Sequence, residues 1–154
     1  MPLRAVIDTS ALVGARQRRD LQNLAEAGAF TALWSPWIIA ELNRVLTWRW
    51  IDRTDRDLSQ PNRDRCSASA KAMMDILLAT FELVDSTRPY PSAWDSLTDR
   101  WDQPIWAAVV VGGAQCVVSD NTHDYPPRQQ DGRRVYQGIE YITAQAFLTL
   151  LAEN

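Results

Sequence analysis

Leu3 to Ile7 is a short apolar run carrying one Arg, and it stops at Asp8-Thr9-Ser10. A run of this length reads as a buried strand. Its ending constrains the fold, because α/β sheets gather ligands outside the carboxyl ends of their strands. Helical and strand-like patterns then alternate. Arg18 to Gly28 is a one-sided helix through Leu21, Leu24 and Ala25, with Gly28 as its C-cap. Phe30 to Trp34 is a second strand. Ser35-Pro36 reads as N-cap and N1 of a helix reaching about Trp50. Thr47 to Arg65 is polar and broken by Pro61, and Ser67 to Phe81 is a long helical pattern. Glu82 to Asp85 is a short strand, and Thr87 to Asp99 is a loop punctuated by two prolines. Asp102-Gln103-Pro104 opens a helix over Ile105 to Ala114. That helix is apolar almost all round and is therefore expected to be buried, with Gly112-Gly113 ending it. Gln115 to Ser119 is strand-like. Val135 to Ile142 holds a last strand, around Ile139 to Ile142, and Thr143 caps a final helix with Ala146, Phe147, Leu150 and Leu151 on one face. This alternation predicts a three-layer α/β/α fold around a mostly parallel sheet. At 154 residues the chain suits one domain over 1–154.

That topology gathers acids. Asp8 and Asp120 follow the C-terminal ends of strands. The helix opening near Asp102 precedes Gln115 to Ser119, so it starts at the same edge. Glu41 lies within two turns of the start of its helix, at about 1.5 Å per residue, and on the margin of that helix's apolar arc. Each acid alone has an ordinary role: a turn residue, a solvated helix residue, an N-cap, an Asx turn around Asp120, Asn121 and Asp124. Together they repel, by about 4 kcal/mol for two charges 4 Å apart at an effective dielectric of 20. Four carboxylates without a basic partner need a cation or raised pKa values. An all-oxygen donor set suits Mg²⁺ or Mn²⁺.

Val6-Ile7-Asp8-Thr9-Ser10, Trp34-Ser35 through Glu41-Leu42, and the run from Asp102 to Asn121, Asp124, Tyr125 and Pro126 resemble the PIN-domain nucleases. The resemblance covers nearly the whole chain, with Thr47 to Ser67 least matched. It implies a metal-dependent ribonuclease, often the toxin half of a bacterial toxin–antitoxin pair. Carried over, Asp8, Glu41 and Asp102 bind metal or activate water. The fourth position falls among Asp120, Asn121 and Asp124: the family pattern points to Asn121 with Asp124 in support, while this chain adds Asp120. Ser10 is placed to orient a ligand or water, and Asp99 matches a further acidic position of some members.

Other chemistries lack their residues. A haloacid-type phosphatase needs a second acid where Ser10 stands. A receiver domain needs a lysine near the site, and the only lysine is Lys71, inside a helix. No Gly-rich turn follows the first strand. His123 is the only histidine, which argues against a histidine triad or a zinc site. Cys66 and Cys116 are too few for a disulfide framework, so a reduced, cytoplasmic protein with no membrane span is expected. Net charge is −3, so an overall basic nucleic-acid footprint is absent. Any grip on RNA phosphate must therefore be local, and Arg16, Arg18 and Arg19, just after the Asp8 turn, are the candidates. Trp48, Trp50 and Ile51 among arginines suggest a groove for a small antitoxin protein. A homodimer is left open. The rival from another class is a catalytically inactive PIN-like module that binds RNA or protein.

Overall fold

The computed structural model describes residues 1–85 and 103–153. Strand β1 (Leu3–Ile7) is flanked by parallel β2 (Phe30–Trp34) and parallel β4 (Cys116–Val118). Beyond them lie β3 (Glu82–Leu83) on one side and β6 (Ile139–Ile142) on the other, both parallel. A last strand, β5 (Val135–Tyr136), is antiparallel to β6. The order is β3-β2-β1-β4-β6-β5. Ala5, Val6 and Ile7 in the centre are fully buried, as expected of a strand covered on both faces.

The two helical layers follow from the pleat. Phe30 and Leu33 are three residues apart, so their side chains leave opposite faces of β2. Phe30 meets Phe147 of α6 (Ala144–Ala152) edge-on at 4.9 Å. Leu33 faces α5 (Gln103–Gly112), so closely that a Cβ on Gly112 would lie 2.7 Å from its Cδ1. α2 (Ala15–Glu26) joins α6 on the first face, and α3 (Pro36–Asp52) packs with α4 (Gln60–Leu78) and α5 on the other. A short α1 (Thr9–Leu12) links β1 to α2.

Local signals hold at several boundaries. Ser35 Oγ accepts from Ile38 N and Thr143 Oγ1 accepts from Ala146 N, each a helix N-cap. Gly28, at φ +76°, follows the end of α2, where a left-handed residue relieves the last turn. Other expectations are corrected. α4 begins at Gln60 rather than Ser67, because Pro61 stands in its first turn, where a proline costs no hydrogen bond. α5 is not buried all round: Val110 and Val111 are exposed, since only one side of the helix reaches the sheet. Leu150 and Ala146 face outward, while Ala144, Phe147, Leu148 and Leu151 face the core. The last strand falls at Ile139–Ile142 as expected, and Val135–Tyr136 pairs back on it through a turn at Gln137 and Gly138, both at positive φ. The expected loop from Thr87 to Asp99 and the Asp102 helix start lie outside the described residues. No helix among the described residues is long and apolar enough to cross a membrane.

Candidate active site

Asp8 stands where β1 becomes α1. Its backbone carbonyl accepts from Ala11 N at 3.0 Å, as an N-cap residue should, yet its side chain makes no capping bond. The carboxylate turns instead toward the end of β4. Its Oδ2 accepts from Ser10 Oγ at 2.7 Å and from Ser119 Oγ at 2.9 Å. Its Oδ1 accepts no hydrogen bond among the described residues. Ser10 Oγ also accepts from Asp120 N at 2.9 Å, and Ser119 Oγ from Asn121 N at 3.2 Å. Two hydroxyls thus fix Asp8 while tying the start of α1 to the turn after β4. Asp8, Ser119, Asn121, Tyr125, Ile105, Val117 and Tyr141 line a cavity of about 20 Å³, enough for roughly one water-sized guest.

Glu41 reaches the same rim from α3. Its Oε2 accepts from Thr9 Oγ1 at 2.7 Å, a link across 32 residues of sequence. Thr9 is only 5% exposed and follows Asp8 directly. Glu41 Oε1, like Asp8 Oδ1, accepts no hydrogen bond among the described residues. The two acids therefore share an arrangement: neutral hydroxyls hold one oxygen, and the other has no donor among the described residues. Hydroxyl donors orient a carboxylate without cancelling its charge, which is what a cation ligand requires. This donor chemistry fits a hard divalent ion. Among the described residues no three His, Cys, Asp or Glu side chains are grouped to hold a metal. Asp102 lies outside the described residues, and so does the side chain of Asp124, whose backbone forms the 3₁₀ turn Thr122–Asp124.

Asp120 has a different position from Asp8. Its Oδ1 accepts from Ala144 N at the first residue of α6, and its Oδ2 accepts from Gln17 Nε2 at 2.7 Å. Both oxygens are engaged by protein donors, and the charge sits at the positive end of a helix. Asn121 is exposed beside the Asp8 cavity. Tyr125 closes this side, donating its hydroxyl to the Ser119 carbonyl. Burial raises its pKa first, and the charges of Asp120 and Asp8 add to the shift, with Arg134 opposing it. The rim is thus negative where Tyr125 meets it.

The three arginines part company. Arg18 is 8% exposed and donates to the carbonyls of Leu12 (2.8 Å) and Val13 (3.3 Å). Arg49 of α3 joins it on the Val13 carbonyl at 2.9 Å. Arg18 is turned inward because the α1–α2 corner leaves carbonyls without helical partners. Arg16 is exposed and lines an open groove between α2 and α6 with Gln17, Gln145 and Thr149. Arg19 is exposed on the same helix. In the tryptophan arm, Trp48 is 51% exposed, Trp50 lies under Arg53 at 5.3 Å, and Ile51 is buried. Cys116 is no nucleophile: burial, then the Glu140 charge, pushes its thiol up to about 12.

The hydroxyls of Thr9 and Ser119 escaped the reading from sequence, although both stand next to named acids. Serine or threonine beside an acid at a strand end is the signal that points to them.

A family model described as PIN domain matches residues 4–123. No curated protein matches the chain. The crystal structure of PAE2754 from Pyrobaculum aerophilum is similar in fold, with a TM-score of 0.58 at 14% identity, covering 100% of this chain and 98% of that one.

Proposed function

Because the chain belongs to the PIN-domain family, whose members are typically metal-dependent nucleases, we propose that it is an Mg²⁺- or Mn²⁺-dependent endoribonuclease. In this reading it hydrolyses phosphodiester bonds of RNA and is the toxin of a toxin–antitoxin pair. One observation carries the reading. Asp8 and Glu41, far apart in sequence, are joined through Thr9, and each presents one carboxylate oxygen that has no donor among the described residues. Asp8 and Glu41 would hold the metal, with Asp102, Asn121 and Asp124 completing the donor set that the family resemblance supplies. The ion would polarise the scissile phosphate and lower the pKa of the attacking water. Ser10, Ser119 and Thr9 orient the carboxylates. Asp120, with both oxygens engaged, fixes the β4 turn against α6. Arg16 and Arg19 are the exposed basic side chains for substrate phosphate, and Arg18 is a structural cation. An antitoxin partner would find an exposed anchor in Trp48.

The test is cleavage of a labelled single-stranded RNA with Mn²⁺ and with chelator. Cleavage only with metal, abolished in Asp8→Asn and Glu41→Gln, is the expected result. Metal-induced stabilisation with no cleavage of any RNA would leave a binding module instead.

A further inference from the structure

The exposed side of α3 carries a second feature next to Glu41. Trp37, Glu41 and Arg44 follow one another at spacings of four and three, which places them on one face of the helix. Trp37 is a large aromatic side chain left 41% exposed. Ala40 beside it is small. Among the described residues these four line an open pocket of about 530 Å³, within the range of small-molecule sites. Arg44 is exposed and enters no ion pair or hydrogen bond among the described residues. Glu41 belongs both to this pocket and, through Thr9, to the acid rim. An exposed aromatic side chain, a cation with no ion pair among the described residues and an acid of the candidate active site therefore share one wall.

We propose that this pocket takes an unpaired base of single-stranded RNA, with Trp37 stacking on the base and Arg44 holding an adjoining phosphate. The inference rests on the nuclease reading above and names how its substrate is seated. Every base has a π-face, so stacking on Trp grips a strand without reading its sequence. A base inside a duplex has both faces covered and must first be unstacked, so the pocket selects single strands. Arg44 gives a point of phosphate attachment on a protein whose net charge of −3 offers no general attraction. The base is anchored one helical turn before Glu41, and the backbone beside it is carried toward the Asp8–Glu41 rim. A protein partner with an apolar anchor would also suit Trp37. RNA is favoured because the same wall contains a candidate catalytic acid and a cation suited to phosphate.

The experiment measures affinity for a short labelled single-stranded RNA and for its duplex, with chelator present so that the strand stays intact. Trp37→Ala and Trp37→Leu are each expected to weaken single-strand binding about tenfold, the scale of one lost base stack, or about 1.4 kcal/mol. Trp37→Phe keeps most of the affinity, and duplex binding is unchanged in all three. Arg44→Gln lowers the dependence of affinity on salt by about one ion. With Mn²⁺, Trp37→Ala raises KM and leaves kcat nearly unchanged, because the stack holds substrate and transition state alike. If wild type cleaves RNA but Trp37→Ala and Trp37→Leu bind and cleave as it does, the base site falls, the nuclease reading stands, and the pocket is left to a protein partner. If wild type never cleaves yet these variants still lose single-strand binding, the nuclease reading falls and the base site stands.

Discussion

The two ends of β1 carry opposite charges and treat them in opposite ways. At the lower end, Arg4 is paired. Its Nε donates to the Gly112 carbonyl at 2.8 Å, and its two terminal nitrogens meet both oxygens of Glu82. At the upper end, four residues later, the Asp8 carboxylate meets only hydroxyls among the described residues. One end closes a charge with an opposite charge and so ties α5, β1 and β3 together. The other end orients a charge with neutral donors and gives it no ion pair among the described residues. This difference is what makes the upper edge the candidate site.

The largest effect should come from breaking the upper end. Asp8→Asn keeps shape and removes one charge. Cleavage of single-stranded RNA with Mn²⁺ should drop by about 10²–10³-fold or more, the scale for one preorganised electrostatic element of an active site. Its metal-free melting temperature should stay level or rise, since repulsion with Glu41 is relieved. Loss of several kcal/mol of metal-free stability would mean that Asp8 is a turn residue after all.

Metal itself sharpens the contrast. At a hundredfold excess over Kd, Mn²⁺ should stabilise wild type by about 2.7 kcal/mol, a rise of several degrees in melting temperature for a chain of this size. Asp8→Asn should show little of that rise, whereas Arg4→Met should show all of it. Arg4→Met should in turn lose about 1–3 kcal/mol without metal, because it strands the Gly112 carbonyl and frees Glu82. Its cleavage rate, measured well below the melting temperature, should not change. Much of the Arg4–Glu82 pair is open to solvent, so the lower figure is expected to come from the ion pair and the rest from the carbonyl.

Asp120→Ala tests the acid between these extremes. Its oxygens serve Ala144 N and Gln17, so a loss of about 1–2 kcal/mol is expected, as for a removed helix cap. The Mn²⁺-induced rise should survive. A vanished rise would make Asp120 a metal ligand and overturn its assignment as a helix anchor.

The smallest effect is a pH dependence at Tyr125. Burial and the Asp120 and Asp8 charges raise its pKa in the folded protein. The unfolded phenol, with a pKa of about 10, therefore ionises first. Its stabilising contribution is complete below about pH 10 and is lost as pH climbs from there toward the folded pKa. Denaturant midpoints should fall above pH 10 in wild type and fall less steeply in Tyr125→Phe.

The strand ending at Asp8, the Ser35-Pro36 helix start and the Thr143 cap were legible in the sequence because each is a local matter. Period, cap residue and proline position act over three or four neighbours. The mostly parallel sheet followed from the alternation of such elements. Long-range pairing was not legible. The spacing of Glu41 on its helix placed it at a margin, but only the packed structure brings Thr9 to its carboxylate. Arg18 has the same local sequence character as Arg16 and Arg19, yet the α1–α2 corner turns it inward to carbonyls that the other two never reach. Asp8 and Asp120 both end strands with an acid. Tertiary structure alone separated them, because the donors that occupy an acid's second oxygen come from α2 and α6, elements whose approach no local signal encodes.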